Sequence, residues 1–275
     1  MATTRLFDDR TGRWAGLAGR TLSCAASLRV TSTYAVMLIA VSLTLTAMGP
    51  HARAVAVSRM STNLHNLAHG HVDTLIGSAL VNEGDDVFFW LPGLACLLAL
   101  GEIIWRSTGL VVTFAVGHIG ATLIVAVMLV AAIRTGSVPS SVALASDVGM
   151  SYGAVCVLGA LTASIPVHWR PVWIGWWLGV ALPATLGANF TAIGHVLALL
   201  LGIGLSFRLR SIARWTPRHK ALLVVGAAFG YLVLAGPSVT VSAWGLSGAL
   251  SAQLLRRIAR RPILTIPSAP VRPNG

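Results

Sequence analysis

The sequence predicts an all-α, polytopic membrane protein, and three observations carry that prediction. Of 275 residues, 55% are hydrophobic and only 10% are charged, with a mean hydropathy of +0.78; average soluble domains carry about 25% charged residues. The charges fall between apolar runs long enough to cross a bilayer. The net charge of +12 is carried almost wholly by arginines (Lys220 is the only lysine) clustered at the ends of those runs. That is how positive charge sets membrane orientation, and it also suits contact with anionic lipid headgroups. The aromatic or polar readout groups that accompany a nucleic-acid-binding basic tail are missing, so no nucleic-acid partner is expected.

Residues 1–30 form an Arg-rich tail with Arg5, Arg10, Arg13, Arg20 and Arg29, expected to be cytoplasmic. The apolar run after it lacks a clean small-residue cleavage site and is read as a retained first span, 33–48, closed by the breaker pair Gly49-Pro50. A mixed-charge loop, 51–86, contains His51, His65, His69 and His71; its 71–81 part is apolar enough for the membrane interface but too short to cross. Span 2, 87–104, has Pro92 near its start, Glu102 near its end and Arg106 just beyond. Span 3, 110–133, contains Gly117-His118-Ile119-Gly120, and a polar loop, 134–147, leads to span 4, 148–167. Span 5, 172–187, carries Trp173, Trp176 and Trp177, which suit an interfacial belt. Span 6, 190–207, precedes the densest basic cluster, Arg208, Arg210, Arg214, Arg218, His219 and Lys220.

The stretch 221–255 has no charge, and Gly236-Pro237 divides it. It reads as a hairpin of two short spans or as one long broken span. The domain organisation is therefore a tail (1–30), a six-helix core (31–208), a basic linker with a C-terminal span or hairpin (209–258), and a Pro-rich tail expected to be disordered (259–275). A cytoplasmic N-terminus puts Arg106, Arg170 and the 208–220 cluster inside and the acidic 73–86 segment outside, with only Arg53, Arg59 and Arg134 on the other side. A multi-pass protein of a bacterial plasma membrane is expected. Cys24, Cys96 and Cys156 have no metal-ligand spacing and read as small buried hydrophobes.

The chemistry centres on Ser151 and His195. A histidine inside a span is costly and points to function. With the N-terminus inside, spans 4 and 6 both start at the outer face. Ser151 then lies about 5 Å deep and His195 about 8 Å deep, from a helix rise of about 1.5 Å per residue. Gly149, Gly153 and Gly159 on span 4, and Gly194, Ala198 and Gly202 on span 6, let the two backbones approach. A serine with a histidine base is the arrangement of acyl-transfer catalysis.

These residues resemble the rhomboid family of intramembrane serine proteases. Gly149-Met150-Ser151 with Gly159 resembles the family's serine motif opening the fourth of six core helices, and His195 with Ala198 and Gly202 resembles its sixth-helix histidine. Glu102 looks like the family's acidic position near the end of helix 2, and Gly117 and Gly120 like its small residues in helix 3. The resemblance covers about 33–208. It implies a Ser151–His195 dyad, cleavage of transmembrane protein substrates, and no cofactor. Two departures stand out. The residue after the serine is Tyr152, where the family usually has glycine. The histidine-rich run 64–71 resembles the family's helix-2 region, but four residues after His65, His69 and His71 stand His69, Asp73 and Leu75, not an oxyanion-supporting asparagine. Gly149, Asn66 and His71 are the candidates for that support. A catalytically inactive rhomboid-like protein gripping transmembrane clients is the alternative.

Other chemistries fit less well. His65 and His69 stand four apart, but Asn66 occupies the place of the general-base glutamate of a metalloprotease helix, so no metal is expected. A transporter would show intramembrane acids or paired broken helices; Glu102 is the only acid inside a span, and no internal repeat is evident.

Overall fold

The computed structural model describes residues 28–82, 87–187 and 189–259, which include no strand. The two tails expected over 1–30 and 259–275 lie, apart from residues 28–30 and 259, outside the described residues, as do Glu83, Asp85 and Asp86. Helix α1 (Arg29–Ala47) ends where Gly49 takes a positive φ of 80° and Pro50 begins α2 (Pro50–Met60). Two short helices follow, α3 (Leu64–Ala68) and α4 (Thr74–Gly77), the second running into a 3₁₀ turn, Ser78–Leu80.

The long apolar stretch Val87–Arg134 is two helical arms joined at a kink. Helix α5 (Val87–Ala115) turns at Arg106, whose φ of 62° is left-handed. Gly101 then faces the Leu110 side chain across the turn, and Leu98 and Val111 line one cavity. The second arm passes through a π-turn (Val116–Gly120) into α6 (Ala121–Arg134). Helix α7 (Ser151–Ala160) with its 3₁₀ extension to Ala163, α8 (Arg170–Ala181) and α9 (Phe190–Leu205) complete the core. The stretch after the basic cluster forms two helices, α10 (Pro217–Ala235) and α11 (Thr240–Ala259), with Gly236 between them at a φ of 59°.

Arg29–Ala47, Val87–Arg134 and Pro217–Ala235 are long and apolar enough to cross a membrane by length and composition, while Ser151–Ala163 and Phe190–Leu205 are apolar but shorter. The outer helices expose large apolar side chains, among them Val36, Val127 and Leu250. Such a surface is unfavourable in water but natural against lipid. The architecture is that of an all-α polytopic membrane protein.

Helix α7 is the centre of the bundle. Every residue from Tyr152 to Ala160 is buried. It begins at Ser151 rather than at 148, the start expected for span 4, and its helical path ends at Ala163 rather than 167. Local hydrogen bonds explain the shorter helix. Asp147 N–H donates to Ser61 Oγ (2.8 Å) and Gly149 N–H to the Ser78 carbonyl (2.9 Å), so the preceding segment is bonded to the loops rather than coiled. At the other end, the Arg170 guanidinium donates to the Ala163 and Ile165 carbonyls, a favourable place for positive charge.

Glycines set the close contacts around α7. A Cβ on Gly159 would lie 2.5 Å from the Leu199 carbonyl oxygen, and one on Gly202 would overlap the Cys156 carbonyl. Positions rise together along α7 and α9, so the two helices run parallel. On the opposite flank, a Cβ on Gly117 would overlap Cys156, and one on Gly153 would meet the Phe114 ring at 2.5 Å. Without a water-driven hydrophobic effect between helices in lipid, such close packing is a principal source of association.

At the far end of the bundle from Ser151, Glu102 joins three elements. Its carboxylate is buried and accepts from Val30 N–H (3.0 Å), Thr31 N–H (2.9 Å), Thr31 Oγ1 (2.7 Å) and Ser107 Oγ (2.7 Å). The first three donors belong to the start of α1, where amides are left unpaired and the helix dipole favours negative charge. The fourth lies just past the Arg106 turn. The same end is tied to the linker after α9 by Trp105 Nε1–H donating to the Arg210 carbonyl (3.1 Å).

The C-terminal helices pack on different partners. Gly93 and Gly226 seat α10 against α5, and Gly175, Gly179 and Gly248 bring α8 and α11 into backbone contact. This changes the reading of the span-5 tryptophans. Trp177 is buried, Trp173 packs on it edge-on (ring centroids 5.5 Å), and Trp176 faces Gly245 of α11. Tryptophans expected in an interfacial belt are instead part of a helix–helix contact, because α11 covers the glycine-bearing face of α8.

Two predictions follow from this packing. Glu102→Ala is expected to lower unfolding free energy by about 2–4 kcal/mol, since it strands donors bonded to a charged acceptor; Glu102→Gln should lose less. Denaturation in detergent micelles measures both. Gly202→Val is expected to destabilise the fold by about 2 kcal/mol or more through overpacking. Gly204→Val, where no atom lies within 4 Å of an added Cβ, is the control that should unfold like the parent in the same assay.

Candidate functional site

Ser151 is the first residue of α7 and the only one of the helix that is not buried. Two features place it there. Gly149 takes a φ of 122°, a conformation that side-chain-bearing residues rarely adopt, and this turns the chain from the bonded loop into the helix. No side chain caps α7, and the first backbone bond closing on its start is Ala154 N–H to the Met150 carbonyl (3.0 Å). The amides ahead of Ala154 are those a helix leaves unpaired, so this terminus favours negative charge.

His195 lies in the second turn of α9, at the same end of the bundle. Its Nε2 is buried and has no hydrogen-bond partner. An unpaired buried imidazole nitrogen is unfavourable in a membrane interior and calls for a functional or structural explanation. The side chain that meets it is Tyr152, whose ring stands edge-on to the imidazole with centroids 5.2 Å apart and planes at 81°. Gly194 makes this contact possible, since a Cβ there would run into the phenol. The Tyr152 hydroxyl is buried beside it, in reach of Thr191 and Asp147. No hydrogen bond joins Ser151 to His195 in this structure. The nucleophile candidate and the base candidate are thus brought to the same end of two packed helices, with Ser151 one residue from the ring that touches His195.

Of the small residues expected to join spans 4 and 6, Gly159 and Gly202 lie in the α7–α9 contact and Ala198 is fully buried, whereas Gly153 faces Phe114 of α5. The support candidates divide. Gly149 lies at the turn into Ser151. Asn66 is not at a helix of the second span but on α3, and its Nδ2 donates to the Ser58 and Ser61 carbonyls (3.0 and 2.8 Å). It therefore braces the loop before α7, because Ser61 Oγ holds Asp147 and Thr62 N–H and Oγ1 both donate to the Asp147 carbonyl. His71 is exposed, and its backbone, not its ring, makes the contacts: its N–H donates to the Asn66 carbonyl and its own carbonyl accepts from Thr74 Oγ1 (2.6 Å). His65 and His69 pack ring against ring (4.3 Å), and His69 Nδ1 is bonded to the His65 carbonyl.

One pair was not singled out from the sequence. Ser78 Oγ and His118 Nε2 are 3.1 Å apart, and both residues are buried. The rule that flags His195, a histidine within a span, applies equally to His118 and would have found it. Ser78 has no accessible surface, whereas Ser151 is partly exposed.

A family model described as rhomboid-like protein matches residues 25–215, which takes in every helix from α1 to α9. No curated protein and no solved structure matches the chain. The chain belongs to the family of rhomboid-like proteins.

Proposed function

We propose that this protein is an intramembrane serine protease in which Ser151 is the nucleophile and His195 the general base. One observation carries the reading: the sole accessible residue of an otherwise buried helix is a serine at an uncapped helix start, beside a ring that contacts an imidazole whose Nε2 is buried and unpaired. His195 Nε2 takes the proton from Ser151 Oγ as the oxygen attacks a peptide carbonyl. The developing oxyanion lies toward the free amides at the start of α7, where fixed donors stabilise it most. His195 then protonates the leaving amine, and water hydrolyses the acyl-enzyme by the same route in reverse. Oγ and Nε2 must close to about 2.6–3.2 Å for proton transfer, a contact that often tightens only when substrate is bound.

Tyr152 has a place in this scheme that its departure from the usual glycine obscured. Among the described residues no aspartate contacts His195, and the edge-on Tyr152 ring restrains the imidazole. Substrates are transmembrane helices entering from lipid. They must unwind before their carbonyls can be attacked, so weak helix formers such as Gly and Pro are expected near the cut. With a cytoplasmic N-terminus, the site opens on the outer face, where water reaches a serine a few ångströms deep.

The test is covalent labelling of the purified protein in micelles by a fluorophosphonate, alongside cleavage of a transmembrane substrate with a destabilised helix. Labelling at Ser151, and loss of cleavage by a factor of about 10³ or more in Ser151→Ala and His195→Ala, are expected. Folded protein that neither labels nor cleaves overturns the protease reading and leaves the inactive client-binding alternative.

A further inference from the structure

We propose that His118 is a positioning residue for Ser151, acting through Ser78; the proposal rests on the protease reading for its catalytic arm. The geometry forms a short relay. His118 Nε2 meets Ser78 Oγ at 3.1 Å. The carbonyl of the same Ser78 accepts the Gly149 N–H at 2.9 Å. Gly149, at a φ of 122°, directs the chain into Ser151 two residues later. The imidazole is packed against Phe114 (ring centroids 6.2 Å, planes at 25°) and is buried with Ser78, so the pair has one well-defined arrangement.

The backbone that carries His118 reaches the site independently. His118 lies in the π-turn Val116–Gly120, a local widening of an α-helix that is frequent at functional sites. Gly117, next to it, packs against α7 closely enough that a Cβ would stand 2.9 Å from the Tyr152 carbonyl oxygen. One turn of span 3 therefore touches the start of α7 directly and holds the preceding loop through Ser78. A buried histidine in a span is costly unless it has a role, and the proposed dyad does not use this one. Its consequence for catalysis is orientation. A shift of about 1 Å in a reacting group can cost about 10²-fold in rate, and a loop anchored to span 3 limits such shifts at Ser151.

The experiment compares the full chain in micelles with His118→Ala, His118→Gln, Ser78→Ala and the double alanine variant. Amide hydrogen exchange over 147–153 and steady-state cleavage of the transmembrane substrate are both read. His118→Ala and Ser78→Ala are each expected to speed exchange across 147–153 and to lower kcat by about 10-fold or more with KM little changed. The double variant should be no worse than either single, because both break one relay. His118→Gln, which keeps a donor, should restore protection and most of kcat. Unchanged exchange in folded His118→Ala, losses that multiply in the double variant, or a KM effect alone overturns the proposal. Should His118→Ala not fold, Ser78→Ala decides, since it removes a hydroxyl but keeps the carbonyl bonded to Gly149. If the parent itself does not cleave, the protease reading fails, while exchange over 147–153 still tells whether His118 anchors the Ser151 turn.

Discussion

The backbone contact between α7 and α9 is the constraint on which the rest of the molecule depends. Gly159 against the Leu199 carbonyl and Gly202 against that of Cys156 bring the two helices closer than any side chain would permit. The contact fixes their relative height. Because both run in the same direction, Ser151 and His195 are held at one end, and Tyr152 falls into the gap left by Gly194. The surrounding spans complete the enclosure: α5 and the π-turn cover one flank of α7 through Gly117 and Gly153, while α8, α10 and α11 close around the other elements. A residue buried on every side can be short. Helix α7 with its extension covers 151–163, about 20 Å at the helical rise, which is less than the ~30 Å hydrocarbon core.

Polar interactions do a different job at each end. Opposite the site, Glu102 fastens α1 to the turn between spans 2 and 3, placing a carboxylate where helix amides and two hydroxyls require an acceptor. At the site, the hydrogen bonds run between loops: Ser61 and Thr62 hold Asp147, Asn66 holds Ser61, and Ser78 holds Gly149. These bonds are what stop the helix from extending to 148 and what define where it begins. His118 then connects this polar layer to the apolar bundle.

Much of the fold was legible because apolar length and arginine position are direct consequences of the bilayer. The six spans, the turn at Gly49-Pro50 and the break at Gly236 follow from residues that cannot be otherwise accommodated in lipid. The small residues Gly153, Gly159, Ala198 and Gly202 were legible for the same reason: their spacing marks a close-packed face. Less visible was anything set by partners distant in sequence. Trp173, Trp176 and Trp177 look like interface anchors until α11 is seen to cover their helix. The loop bonds of Asn66 to Ser58 and Ser61 and the exposed ring of His71 likewise depend on where the 61–74 loop folds.

The sequence by itself determined the class of the molecule, the order of its spans, and the placement of Ser151 and His195 at one end of the bundle, since each rests on periodicity, charge placement and chain direction. Only the tertiary structure decided what touches His195 and what holds Ser151. Tyr152, read as a departure from a glycine, is the ring that meets the imidazole, because the turn at Gly149 aims it into the space above Gly194. Ser78 and His118, separated by forty residues, become partners only when a loop helix folds onto the π-turn of span 3. Hydrogen bonds of that kind leave no periodic trace in a sequence, because they join side chains whose proximity is created by the packing of everything else.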